Sequence, residues 1–207
     1  MRKSKAETAQ TRQRIVEAAA KAFRRQGIDA TGVAEIMAAA GMTHGGFYRH
    51  FQSKDQLVAE AMSASRKSFV DDTTAAAAQG AQALLEVFQD YVTEEYRDDV
   101  EDGCPLAANG SELVRADETT RHRMTASLRK IVANAAPFMR VRDGEDPTDT
   151  AISLITNMVG ALTVARLVDD PALSARILQT ARCRINSVFE PTRPGQPPIA
   201  PAGTRTK

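Results

Sequence analysis

Cysteine, histidine and aromatic side chains are all scarce in this chain of 207 residues, at two, three and 5 % respectively. Two cysteines cannot build a disulfide framework, and without a secretory leader the expected setting is a reducing cytoplasm. Three histidines leave little for a metal: His122 has no cysteine or acidic partner at ligand spacing, and His44 and His50 sit together in another segment. A nucleophile elbow, a phosphate loop and a dinucleotide fingerprint are all missing, so neither an enzyme nor a bound cofactor is expected. No run alternates apolar and polar residues as a half-buried strand would. The 43 % of hydrophobic residues are rich in alanine, which favours an all-α protein.

Overall charge excludes nothing, at +1, but its distribution is uneven. Residues 1–54 hold ten Lys and Arg against four Asp and Glu, so the remainder is acidic. The basic part contains the segment Val33 to Leu57, VAEIMAAAGMTHGGFYRHFQSKDQL. Val33, Ile36, Met37 and Ala40 recur at helical spacing, and Gly41 can take the positive φ at which a helix stops. Thr43 is a good N-cap for a second helix from His44 that buries Phe47 and Phe51 and turns His44, Gly45, Tyr48 and His50 outward. Turn spacing alone leaves an ordinary helical hairpin equally open. The next element favours a helix-turn-helix, because Ser53 and Gln56 form a capping box that places Lys54 at a new helix start, where its ammonium suits a phosphate. Arg2, Lys3 and Lys5 read either as a flexible DNA-binding arm or as a frayed charged terminus.

The run GMTHGGFYRHFQSKDQL resembles the TetR family of transcriptional regulators, in which Gly, cap, Tyr, Phe and Lys stand at this spacing. By that resemblance Thr43, Tyr48 and Lys54 contact phosphates, His44 and Gly45 lie nearest the bases, and His50 is a further phosphate candidate. Three features depart from the family pattern: Met37 stands where alanine is usual, Gly32 replaces a Ser or Thr cap, and two glycines, Gly45 and Gly46, stand side by side. The Gly45-Gly46 pair lowers helix propensity by about 1 kcal/mol per residue relative to alanine. With so little side chain there, sequence choice leans on His44, backbone approach and DNA shape.

About nine helices are expected. A three-helix DNA-binding domain occupies 1–53, an effector-binding and dimerisation domain 54–190, and a tail 191–207 with five prolines is expected to be disordered. The first helix runs from about Glu7 to Gln26, the fourth from Lys54 past Phe69, and the fifth from Ala81 to about Asp98. Pro105 opens the sixth, and the seventh spans Asp117 to about Pro137. Asp146-Pro147 and Asp170-Pro171 start the eighth and ninth with a cap and a proline at the first helical position.

The eighth and ninth predicted helices (about 147–168 and 171–189) carry broad apolar faces. The eighth is apolar nearly all round, which suits a side turned to its own domain and another turned to a partner. The resemblance implies a homodimer formed through this pair, fitted to a palindromic double-stranded DNA operator. It also implies a small-molecule effector held between the fourth to eighth helices, with Met62, Phe69, Phe88, Tyr91, Leu113, Leu128, Ile131 and Ile155 as candidate walls. Few charges are expected inside, which points to an apolar or aromatic effector, and no membrane partner is expected. Cys104, in Gly103-Cys104-Pro105, falls at a helix N-cap where exposure is plausible; it reads as a packing residue or as a thiol sensor of oxidants or electrophiles. The expected function is a ligand-responsive DNA-binding regulator, most simply a repressor. An architectural DNA-binding protein that senses nothing shares the same N-terminal module, but some 130 further residues of helix exceed what a clamp needs.

Overall fold

The computed structural model of the chain describes residues 5–141 and 144–189. The predicted arm residues Arg2 and Lys3 and the predicted tail lie outside the described residues. Among the described residues there are nine α-helices and two 3-10 segments, and the only bridge of β type is the isolated pair Met139–Phe189. In chain order the helices are α1 (Lys5–Gln26), α2 (Val33–Ala39), α3 (Lys54–Gln79), α4 (Ala81–Asp90), α5 (Glu94–Asp98), α6 (Pro105–Leu113), α7 (Glu118–Ala135), α8 (Pro147–Leu167) and α9 (Pro171–Val188). The 3-10 segments are His44–Arg49 and Ala136–Phe138.

The helices end where local chemistry stops them. Gly27, at φ 93°, closes α1 with its N–H on the Phe23 carbonyl. Gly41, at φ 71°, closes α2 with a Schellman pair: its own N–H reaches Ala38 O and the Met42 N–H reaches Met37 O. The Ser53 hydroxyl accepts the Gln56 N–H at 3.1 Å, and the Gln56 side chain returns to the Gln52 N–H at 2.8 Å, one residue earlier than a strict capping box. Asp146 and Asp170 cap α8 and α9, each followed by proline at the first turn. Two predicted helices are shorter than expected. The fifth breaks after Asp90 because the Thr93 hydroxyl accepts the Tyr96 N–H and so starts α5 afresh. The seventh gives way to the 3-10 turn at Ala136, where Pro137 cannot donate to the helix ladder.

By contact the chain divides into two compact units, Met1–Phe69 with Asp98–Ser127 and Val70–Arg97 with Leu128–Lys207. The core of the first is one cluster: Ile15, Ala19 and Phe23 of α1, Ile36 and Met37 of α2, Phe47 and Phe51, Leu57 and Met62 of α3, and Leu113 and Met124 of α6 and α7. Thus α6 packs with α1. The Asn109 amide, fully buried, donates to Phe23 O at 2.7 Å and to Glu112 at 3.1 Å. Glu112 in turn accepts the Asp29 N–H at 2.9 Å. In the second unit α8 packs along α9, and α4 joins α9 through the Phe88–Phe189 ring pair, 5.7 Å between centroids. The Arg166 guanidinium closes the end of α5 by donating to the Tyr96 and Arg97 carbonyls at 3.0 and 2.8 Å.

Burial tends to raise the Glu112 carboxyl, but the N–H groups of Asp29 and Ile28 and the Asn109 amide outweigh it and hold the group below its ordinary value. Such a group contributes stability that is full above the unfolded carboxylate value near pH 4.3 and is lost as pH falls through the lower folded value. Glu112→Gln should therefore destabilise the fold at neutral pH by about 1–2 kcal/mol and reduce the acid sensitivity of the melting temperature. Thermal melts from pH 7 down to pH 3 measure both, and an unchanged pH profile contradicts the assignment.

Candidate DNA interface

The surface built around residues 43–54 starts from a double anchor of aromatic rings. Phe47 and Phe51 are almost wholly buried and stacked 5.6 Å apart, which fixes the backbone that carries their neighbours. The Arg12 guanidinium of α1 lies 4.4 Å from the Phe51 ring centroid, donates to the His50 carbonyl at 3.3 Å and pairs with both carboxylate oxygens of Glu60. This hydrogen bond holds the Glu60 carboxyl below its ordinary value and raises Arg12. One side chain therefore ties α1, the 3-10 segment and α3 together. Sequence reading missed Arg12, whose partners lie 38 and 48 residues away without a local pattern to mark them.

The predicted second helix is a 3-10 turn over His44–Arg49, with Gly46 N–H on Thr43 O and His50 N–H on Phe47 O. Paired glycines explain it, since their low helix propensity favours the shorter ladder in so brief an element. Thr43, His44 and Gly45 are exposed, and Thr43 occupies the N-cap position without a side-chain cap bond. Tyr48 stands out furthest: it is 74 % exposed, its ring set edge-on to Phe47 at 5.2 Å. His50 is half-buried, its ring tilted against Phe51. Lys54 is also half-buried, and its ammonium docks on the Ile28 carbonyl at 2.6 Å, beside the corner between α1 and α2. Lysine has three donors, so this contact positions the charge without exhausting it.

The remaining candidate residues are divided between the two units. Met62 and Leu113 belong to the hydrophobic core of the first unit, and Phe69 is half-buried on α3. Phe88, Tyr91, Ile131 and Ile155 are buried in the second unit and Leu128 is half-buried there. Cys104 does cap α6, as expected, but it is only 4 % exposed, because Gly103, Cys104 and Pro105 are all buried. The expected exposure is thus corrected. The neighbouring Glu101 and Asp102 carboxylates are taken up by α1, Arg25 reaching Glu101 at 2.9 Å and Lys21 reaching Asp102 at 2.7 Å. Among the described residues no group of three or more His, Cys, Asp and Glu is placed to hold a metal.

An aromatic-anchored turn with a polar outer row, preceded by a glycine-closed helix, defines a helix-turn-helix module. Residues 15–61 match the family model described as bacterial regulatory proteins, tetR family, and residues 77–181 match the tetracyclin repressor-like C-terminal domain. The chain belongs to the TetR family. Over 59 residues it is 44 % identical to the HTH-type transcriptional regulator AcrR of Shigella flexneri, covering 28 % of this chain and 27 % of that protein. Over 54 residues it is 43 % identical to the HTH-type transcriptional repressor BepR of Brucella suis, covering 26 % of each. The chain therefore aligns with only about a quarter of the length of these curated relatives. The fold extends further: the reduced form of Escherichia coli NemR superposes with a TM-score of 0.75 at 17 % identity, over 87 % of this chain and 97 % of that one.

An added Cβ at Gly45 meets nothing within 4 Å, and the residue's φ is not positive. Gly45→Ala should stabilise the free protein by about 0.5–1 kcal/mol, a gain visible as a higher melting temperature. The same methyl group, standing on the exposed row, should weaken binding to the preferred duplex. A destabilised variant would contradict the open geometry assigned to this turn.

Proposed function

We infer that this protein is a dimeric, effector-released transcriptional repressor of the cytoplasm, acting on a palindromic duplex and carrying out no catalysis. The observation that carries the DNA-binding half is Tyr48, a large ring held 74 % exposed beside an otherwise polar row. Standing in that row, its phenolic hydroxyl is free to donate to a phosphate oxygen. Thr43, Tyr48 and the docked Lys54 ammonium bind phosphates and fix the register; His44 and the Gly45 backbone meet the base edges; His50 supports them. Repression is the sign carried by the printed name of the BepR relative.

Dimerisation is supported by α8 and α9. Only 33 % of the most apolar stretch of α8 is buried in the single chain, although its length and mean hydropathy of 1.4 match a membrane span. Its uncovered residues Ile152, Val164 and Leu167 are joined by Leu173 of α9, and a groove of 420 Å³ between the two helices is floored by Gly160, Ala161 and Ala181. Small residues flanked by apolar ones suit close approach of a second α8–α9 pair, giving a four-helix bundle with two-fold symmetry. The division of labour follows: residues 1–53 read DNA, and 54–190 bind effector and hold the dimer. Effector binding favours a state whose two DNA-reading turns no longer match successive major grooves, and the coupling is no larger than that preference.

A duplex selected by the wild-type protein from random sequence provides the assay. Lys54→Ala and Tyr48→Ala should weaken binding to all duplexes, and Lys54→Ala should flatten the salt dependence by about one unit of slope, whereas His44→Ala should alter sequence preference. Wild-type binding by both Tyr48→Ala and Lys54→Ala defeats the assigned surface. Val164→Asp together with Leu173→Asp should give a monomer in sedimentation, with DNA affinity lowered at least tenfold, an order-of-magnitude expectation from the lost linkage of two half-sites.

A further inference from the structure

Sequence reading expects few charges inside, yet α3 buries one. Arg66 is 3 % exposed, and among the described residues no hydrogen-bond partner reaches its Nε or its Nη2. A guanidinium does not lose its proton in a protein, and a buried charge without a counter-charge is strongly unfavourable. Four acidic groups of the same unit are committed elsewhere. Glu60 pairs with Arg12, Glu101 with Arg25, Asp102 with Lys21, and Glu112 with the Asp29 N–H. Ser65, next to Arg66, accepts from the other buried arginine, Arg24, which also holds the Glu101 carbonyl.

The two nitrogens without partners are the particular pair that matter. Nε–H and Nη2–H point the same way and form the side-on fork that grips both oxygens of a carboxylate. Along the same stripe of α3, one turn to either side, stand the buried Met62 and the half-buried Phe69. Beyond them Thr73 is buried, with its hydroxyl already used by Val70 O and the Asn134 amide. The stripe therefore offers one charged fork set between apolar side chains.

We propose that Arg66 is the anion anchor of the effector site, and that the effector is a small organic carboxylate on an apolar body. This rests on the reading of the protein as an effector-released regulator, and it replaces an uncharged ligand with an anion. The bound carboxylate neutralises Arg66 and satisfies both nitrogens. Because Arg66 and Lys54 lie on one continuous helix, about 18 Å apart, a change at the anchor reaches the DNA-facing end without an intervening hinge.

The test uses the full chain with benzoate and octanoate as probes, and benzamide and octanamide as uncharged controls of the same shape. In thermal shift and calorimetric titration a carboxylate should stabilise the wild type where its amide does not. Arg66→Met, confirmed as folded by circular dichroism, should melt no lower than the ligand-free wild type and bind that carboxylate at least about thirtyfold more weakly. Arg66→Gln serves the same purpose if the methionine variant fails to fold. Absence of any preference for carboxylate over amide in the wild type overturns the proposal, as does a preference that survives in the variants. Fluorescence anisotropy on the selected duplex separates the two readings. Arg66→Met that binds DNA normally but no longer releases it with octanoate supports the anchor. Release by the amides from wild type and variant alike overturns the anchor and leaves the regulator standing.

Discussion

The corner between α1 and α2 is the constraint on which the DNA-facing unit depends. Gly27 turns the chain at positive φ, and the next two residues present backbone groups that no helix can satisfy. Two other elements supply the partners: Glu112 of α6 accepts the Asp29 N–H, and Lys54 of α3 donates to the Ile28 carbonyl. The space is tight on one side, since a Cβ at Gly27 would stand 3.2 Å from a Glu112 carboxylate oxygen. The dihedral favours glycine there, and a Cβ would also press the Glu112 carboxylate aside by a few tenths of an ångström. The consequence is that α1, α3 and α6 meet at one point, and a shift of α6 or α3 is felt by the helix that supports the aromatic anchor through Arg12.

That point also shows where sequence reading stops. Periodicity, caps and turn residues are local, so the ends of α2, α8 and α9 and the burial of Phe47 and Phe51 were legible from Gly41, Asp146, Asp170 and the ring spacing. The role of α6 was not, because Asn109 and Glu112 act on residues 86 and 83 positions away and nothing in PLAANGSEL distinguishes an anchor from an exposed polar face. Cys104 was placed correctly at a cap, but its burial depends on that same long-range packing. Of the predicted outward row, His44, Gly45 and Tyr48 are exposed but His50 is half-buried against Phe51, and the 3-10 form of the turn was only implied by the two glycines.

The two buried arginines of the first unit differ in what they do for the fold. Arg12, Arg24, Asn109 and Glu112 each join two or three elements, Arg24 and Asn109 from buried positions. Arg66, at 3 % exposure against 6 % for Arg24, makes no such joint among the described residues. A fold that commits its other buried cations so fully has no structural use for this one, and retaining it lowers stability. Proteins tolerate that kind of deficit where a ligand makes it good.

The candidate DNA-reading turn is short and glycine-rich, and its stability is likewise supplied by other elements. Its rigidity does not come from its own ladder, a 3-10 segment of only six residues, but from Phe47, Phe51 and the Arg12–Glu60 pair beneath it. An element stabilised from below can present backbone and small side chains without losing its shape, which permits a close approach to a groove that a bulkier helix would block. It also makes the turn's position dependent on α1 and α3. The proposed regulator needs that dependence, because a reading element that held itself in place would be deaf to any change in the helices proposed to carry the effector.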